Sequence, residues 1–441
     1  MTIITLQRLG IKSNKHLCDE CIYFVIKITE TKTVDKRYNI VFLTFYYSLS
    51  IYMKHFLILG GGLAGIEAAI KLRKLKYKVT LVSDRDYLFV YPISIWIPTK
   101  GIDFEKSSIP LAKLQKKHGF DLIIDSVEKI EAKNKKVKLS KQEINYDYLF
   151  VALGMSKIRP KGVENTLTIC GVPKQSEEIR EELDKLVTKG SGKIAIGFAG
   201  NPNDPTGSVV RGGPAFELLF NISTYLKKKK LRDNFELNFF APMEKPGIKM
   251  GKKAYANLGK FFTRYKINAH TGTKITGFTN NEVLFEDGKK LESDLTIFIA
   301  GGKGLKVIEE SDLPLTQAGF IETLPTTQVE GFPEVYAIGD AAKLLGPEWG
   351  AKQGHMAEVM ANTAVYNVHE QIQGSGKTRS YVDHISIICV MDSGDGAAII
   401  KRTPTEEKMI MLPIVGHWMK RAWGFYYKNS KLGKIPRFPG M

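Results

Sequence analysis

Residues Lys54 to Asp84 constrain this chain more than any other stretch. They read as an apolar strand, His55-Phe-Leu-Ile-Leu59, a turn Gly60-Gly61-Gly62-Leu63-Ala64-Gly65, an amphipathic helix to Lys74, a second apolar strand Lys78-Val-Thr-Leu-Val82, and then Ser83-Asp84. A strand that turns at once into a helix needs the backbone freedom of Gly60. Gly62 lets the main chain approach a pyrophosphate, and Gly65 lets helix and strand pack closely. The amides that open the helix at Leu63 and Ala64 point at such phosphates, and the helix dipole favours their charge. Asp84 falls about twenty residues beyond the glycines, where a carboxylate bonds an adenosine ribose. Glycines alone would mean only a glycine-rich turn; strand, helix and acid in register make this an FAD or NAD site.

At 441 residues, with 43% apolar and 25% charged side chains, the chain is a globular protein of two to three domains on the usual ~150 residues per domain. The formal net charge of +18 suits an anionic partner. No nucleic-acid motif accompanies it, and the pattern between residues 54 and 400 is that of a metabolic α/β enzyme, which favours a membrane surface over nucleic acid. No apolar run reaches the ~18 residues of a spanning helix, so any membrane association should be peripheral or monotopic.

Residues 1–52 differ from the rest and lack a clear signal-peptide pattern, whereas Met53-Lys54-His55 is a natural opening for the first strand, so translation is expected to start at Met53. On that reading the pair Cys18 and Cys21 belongs to an accidental upstream extension, and one C-x-x-C is weak evidence for zinc. An amphipathic anchor from Tyr38 to Tyr52 and a redox pair are the rival readings. Four cysteines make no disulfide framework, which leaves a cytoplasm-facing site as the default.

Beyond Asp84, the aromatic, proline-broken segment Tyr87 to Lys100 is expected to be irregular and to shape a pocket. Asp121 to Ile130, Lys136 to Leu139 and Tyr146 to Gly154 read as strands, the last returning to the first sheet at the turn Ala152-Leu153-Gly154. A second strand–helix–strand unit then runs through Gly192 to Gly197, Pro214 to Lys230 and Phe235 to Phe240. Its crossing, Gly197 to Gly207, is long and proline-interrupted, and Phe240-Ala-Pro supplies no ribose acid, so NADH binding there is disfavoured. Leu295 to Gly302 closes that region, and Val335-Tyr-Ala-Ile-Gly339-Asp340 is a short buried strand ending in an acid. Lys352 and the helix after it are placed to stabilise a developing anion such as reduced flavin. The tail from Leu412 to Met441 interleaves Trp418, Trp423, Phe425, Tyr426 and Tyr427 with Lys420, Arg421, Lys428, Lys431, Lys434 and Arg437, a pattern that suits a headgroup interface or packing on the protein itself.

In order along residues 54–435, these motifs resemble the two-dinucleotide-binding-domain flavoproteins, and within them the sulfide:quinone oxidoreductases, flavocytochrome sulfide dehydrogenases and type II NADH dehydrogenases. The resemblance implies FAD held by Gly60, Gly62, Leu63, Ala64, Gly65, Ser83, Asp84, Val127, Ala152, Gly154, Gly339, Asp340 and Lys352. Ser83-Asp84-Arg85 with Phe89 and Pro92, Lys352-x-Gly354, and Ile388-Cys-Val-Met-Asp392 look most like the sulfide enzymes. There three cysteines recur, one able to hold the flavin and two bridging over its ring. Cys170 and Cys389 stand where the first and last are expected, but the middle one is replaced in Arg211-Gly-Gly-Pro-Ala-Phe-Glu217 by Arg211, so the usual redox pair is broken.

The expectation is therefore an α/β protein with two Rossmann-like dinucleotide-binding domains and a C-terminal amphipathic membrane-associating segment. Its parts are an extension (1–52), an FAD domain in two pieces (53–170 and 295–375), a second Rossmann-like domain (171–294) and a C-terminal quinone- and membrane-facing segment (376–441). The resemblance implies a peripheral enzyme of the cytoplasmic membrane that passes two electrons from sulfide, or a related reduced sulfur compound, through FAD to a quinone, with Cys170 and Cys389 handling sulfur. Neither a metal nor nucleic acid is called for, and self-association stays open. An NADH-linked flavin dehydrogenase and a non-catalytic flavin sensor are the competing readings. His355 and His417 are weaker candidates for protonating the quinone, since a lone histidine is more often a packed polar residue.

Overall fold

A strand covered on both faces is apolar at every position, and Phe56 to Leu59 are wholly buried for this reason. They sit near the middle of a six-stranded sheet ordered Gln328–Val329, Phe332–Ala337, Tyr148–Val151, His55–Leu59, Lys78–Ser83 and Asp121–Ile124. All neighbours are parallel except the first pair, with Leu57 opposite both Thr80 and Leu149. The computed structural model describes residues 54–437. The pair Cys18 and Cys21 and the stretch Tyr38 to Tyr52 lie outside the described residues.

Helices Leu63–Lys74 and Gly354–Gln373 pack on each other against this sheet, although nearly 300 residues separate them in the chain. The second sheet is fully parallel, ordered Ile267–Thr271, Phe235–Ala241, Gly192–Phe198 and Leu295–Ile299. Helix Gly212–Lys228 crosses it and buries Phe216, Phe220 and Leu226 in an aromatic core with Phe198, Phe239 and Phe261. An antiparallel sheet of Ile387–Asp392, Gly396–Arg402 and Glu407–Pro413 then leads into helix Val415–Lys431. The fold is thus mixed α/β with two Rossmann-like sheets.

Three local expectations change. Tyr87 to Lys100 is not wholly irregular, because Tyr87–Phe89 pairs with Ser108–Pro110 and Tyr91–Ser94 forms one helical turn with its proline at the start, where no amide is needed. Asp121 to Ile130 is two strands: Asp125 turns the chain by accepting hydrogen bonds from the Ser126 and Lys141 amides, and Val127–Glu131 joins a separate antiparallel sheet. Leu295–Ile299 closes the second region as read, completing the sheet beside Gly192–Phe198, so the returning piece of the FAD domain begins after it rather than at 295; its fully buried run has cover on both faces.

Candidate active site

The first crossing occupies only Gly60 to Gly62, between Leu59 and Leu63. Gly60 adopts φ +111°, and a side chain there would collide with the Ala152 carbonyl. A side chain at Gly65 would overlap the Gly60 carbonyl, so that glycine serves helix–strand contact. Gly62 instead opens onto empty space, into a cavity of about 1360 Å³. Asp84 stands at that cavity with its carboxylate largely exposed, 3.6 Å from Arg85. The Gln353 Oε1 that precedes helix Gly354–Gln373 is buried at the same cavity and has no hydrogen-bond partner. A glycine cradle at a helix start, an exposed acid at the end of the next strand and an orphaned acceptor opposite fit the diphosphate, ribose and polar ring edge of FAD.

Every residue expected to hold the cofactor lines this cavity except Gly65, whose place is behind the turn, and Cys170 and Cys389 line it too. The second glycine-acid turn contributes Gly339, at φ +66°, and Asp340. Asp340 receives a hydrogen bond from the Arg211 guanidinium; burial pushes its carboxyl up, and Arg211, Lys352 and Lys157 outweigh this and hold it below the usual range. Lys352 Nζ donates to the Asp340 carbonyl at 2.8 Å and to that of Ala342, and lies 3.7 Å from the centre of the Phe320 ring. Burial pulls its amine down to about 7.

Cys170 and Cys389 are free thiols on different elements, Cys170 in the loop before helix Gln175–Lys189 and Cys389 on strand Ile387–Asp392. Burial raises the Cys170 thiol, against Arg211 and Lys157. Burial, with the nearby Glu217 carboxylate, pushes that of Cys389 up to about 12. Both are therefore held as protonated thiols at neutral pH.

The C-terminal helix closes the site with inward charge. Lys420 is buried against Glu217, which also accepts the Asp392 amide at 2.8 Å. Asp392, itself wholly buried, accepts from Trp96 Nε1 at 3.0 Å and His417 Nδ1 at 2.8 Å, while Arg421 Nε donates to His417 Nε2 at 2.9 Å. That geometry places the His417 proton on Nδ1 and occupies both ring nitrogens. Lys431 bridges Glu67 at 2.5 Å and Glu358 at 2.7 Å, and Arg437 reaches Glu67 at 2.5 Å. Burial would push the Glu67 carboxyl up, yet Lys431 and Arg437 hold it below the ordinary range. Lys428 donates to the Lys106 carbonyl and Arg421 also to that of Gly101, so five of the basic residues read as suited to lipid headgroups serve the protein's own carboxylates, imidazole and carbonyls. The outer side of this region is apolar instead, with Ile410, Met411, Ile414, Val415, Trp418, Met419 and Phe425 exposed. No helix among the described residues is long and apolar enough to cross a membrane.

The second crossing runs from Ala199 to Arg211, between strand Gly192–Phe198 and helix Gly212–Lys228. Asp204 ties it into a turn by accepting from Thr206 and Ser208 hydroxyls and the Val209 amide. It presents no glycine cradle to a diphosphate and instead delivers Arg211 to the first domain's Asp340. His355, which lines the cavity, bonds Ser386 at 3.2 Å.

Residues that the sequence reading passed over are Lys157 and Glu67, and it did not foresee Asp392 as the shared acceptor of Trp96 and His417. Lys157 follows the Gly154 turn at a spacing with no motif of its own. Glu67 sits on a helix face whose neighbours Ile66 and Ile70 are buried, and a charge among them was the available signal.

The family model described as pyridine nucleotide-disulphide oxidoreductase matches residues 54–365. Among curated relatives, the sulfide-quinone reductase of Aquifex aeolicus is 26% identical over 408 residues, covering 85% of this chain and 90% of that protein. The type II NADH:quinone oxidoreductase of Mycobacterium tuberculosis is 24% identical over 343 residues, covering 69% and 71%. The solved sulfide:quinone oxidoreductase of Aquifex aeolicus superposes with a TM-score of 0.78 at 22% identity, covering 86% of this chain and 92% of that one, a likeness of fold.

Proposed function

Because the chain belongs to the pyridine nucleotide-disulphide oxidoreductases and is an FAD-dependent oxidoreductase, we propose that it draws two electrons from sulfide or a related reduced sulfur compound and passes them to a membrane quinone. FAD, when bound, supplies the two-electron carrier between donor and acceptor. The observation that carries this reading is that two free thiols line the same cavity as the residues that fit FAD, while the second crossing lacks a diphosphate cradle.

The chain's own groups divide the work. The Leu63 and Ala64 amides and Gly62 would hold the diphosphate, and Asp84 the ribose. Lys352, with its amine near 7 and two of its donors on carbonyls, holds or yields a proton beside Asp340 and offsets negative charge in the cavity. Cys389 and Cys170 are the sulfur-handling groups, each kept protonated by burial until a partner draws the proton away. The exposed apolar residues from Ile410 to Phe425 would seat the protein peripherally on the cytoplasmic membrane, and Trp423 and Tyr426, which line the cavity from the same helix, would face the entering quinone.

The test is anaerobic addition of sulfide and, separately, NADH to the FAD-loaded protein. Sulfide should bleach the flavin absorbance rapidly in the parent and not in Cys389→Ala. Bleaching by NADH alone would sink the sulfur reading and place the protein with the NADH-linked relatives.

A further inference from the structure

Charge in the cavity is largely matched: Lys420 with Glu217, Arg437 with Glu67 and Glu358, and Lys352 with two carbonyls. Two donors break this pattern. Lys157 Nζ and Arg211 Nε are both buried, both on residues lining the cavity, and both without a hydrogen-bond partner. A buried donor left unpaired is costly, and two cationic ones together are more so. Arg211 spends its other end on Asp340, the one carboxylate bonded to the pair, so the cluster carries surplus positive charge.

Three further features converge there. Arg211 is the cap residue of the 17-residue helix Gly212–Lys228, which has no side-chain hydrogen bond at its start, so the helix dipole adds to the positive field. Cys170 feels both cations, which work against the effect of its burial, and Lys157 is drawn down to about 8 by burial and by the charge of Arg211. Glycines keep the surroundings open. A side chain built at Gly171 would come 3.6 Å from Lys157 Cε, and one at Gly213 would come 3.9 Å from Cys389 Sγ.

Resting on the sulfur reading above, we infer that Lys157 and Arg211, at the start of helix Gly212–Lys228, form a subsite for a small dianionic oxyanion held beside Cys170. An ammonium with three donors, a guanidinium Nε–H and uncapped helix amides call for several acceptor atoms in one ligand. Sulfide offers a single, weakly accepting atom, whereas thiosulfate offers three oxygens and a terminal sulfur that can face the thiol. Sulfate and phosphate share the oxyanion chemistry without the reactive sulfur.

Calorimetric titration of the FAD-loaded full chain with thiosulfate, sulfate and phosphate, at fixed ionic strength, tests this. Saturable one-to-one binding is expected, weakened roughly ten- to hundredfold in Lys157→Met and in Arg211→Met and less in Arg211→Lys. Thiosulfate binding more tightly than sulfate supports a sulfur substrate as the occupant, and equal binding supports an inorganic oxyanion in the same subsite. Absence of saturable binding, or binding unchanged in both Met variants, overturns the inference. So does looser FAD retention in those variants without any anion binding, because the donors would then belong to the cofactor. The Lys157 Nζ has no protein hydrogen bond to lose, which keeps Lys157→Met informative if Arg211→Met fails to fold. Sulfide bleaching of the flavin is a separate readout, and its failure removes the sulfur reading while leaving anion binding to stand or fall alone.

Discussion

The two strand-to-helix crossings have the same neighbours and opposite uses. Gly60 to Gly62 turns the chain in three residues, so the helix amides meet the cavity directly above the strand end. Ala199 to Arg211 takes thirteen, folds around Asp204, and starts its helix behind an arginine. A diphosphate site needs the helix start within reach of a strand-end acid, and a short crossing supplies this by geometry alone. The longer crossing lacks that short turn and gains reach, delivering a cation from one domain to the acid of the other. A repeated topology is therefore no evidence of a repeated ligand.

The sharpest way to break this contrast is Gly65→Val. Overlap with the Gly60 carbonyl should pry helix from strand and abolish FAD retention, seen as colourless purified protein. Next in size, Lys431→Met leaves Arg437 as the one ion-pair partner of both Glu67 and Glu358 in a buried cluster, and a loss of about 3–5 kcal/mol is expected in denaturant unfolding. That result would show the first crossing helix to be braced by the C-terminal segment.

Thiol chemistry sharpens the contrast further. Because burial disfavours the charged form and raises the Cys389 thiol to about 12, its thiolate fraction stays small at neutral pH and grows about tenfold per pH unit. Alkylation of the Cys389 peptide, followed by mass spectrometry in the folded protein, should rise with that slope from pH 7 to 10 without a plateau. A plateau near pH 8 would mean an activated thiolate. The same shift has a linkage sign: the native state keeps its proton where the unfolded thiol loses it, so this contribution to stability is present below about pH 9 and is lost as pH rises toward 12.

The smallest effect belongs to the second crossing. Gly207 also has positive φ, +58°, but a side chain there meets first the flexible end of Lys249, at 3.2 Å, and Val210 at an ordinary 3.9 Å. Gly207→Ala should cost about 1–2 kcal/mol in unfolding experiments and leave FAD retention unchanged. Loss of FAD from this variant would erase the distinction between the two crossings.

The sequence by itself determined the parts whose causes are local. The glycine turn, the strand His55–Leu59 and the helix Leu63–Lys74 follow from backbone sterics and apolar runs within a few residues, and the acid at Asp84 from spacing along one strand–helix–strand unit. The arginine at position 211 was likewise legible as a departure from a family motif. Only the tertiary structure decided what those residues meet. Arg211 meets Asp340 across 129 positions, Lys431 meets Glu67 across 364, and the Lys157 Nζ meets no hydrogen-bond partner. The basic tail shows why: its charges read as lipid-seeking from composition, yet desolvation makes a buried carboxylate claim whichever cation the fold brings near. Pairing of that kind depends on where distant segments come together, which no local pattern encodes.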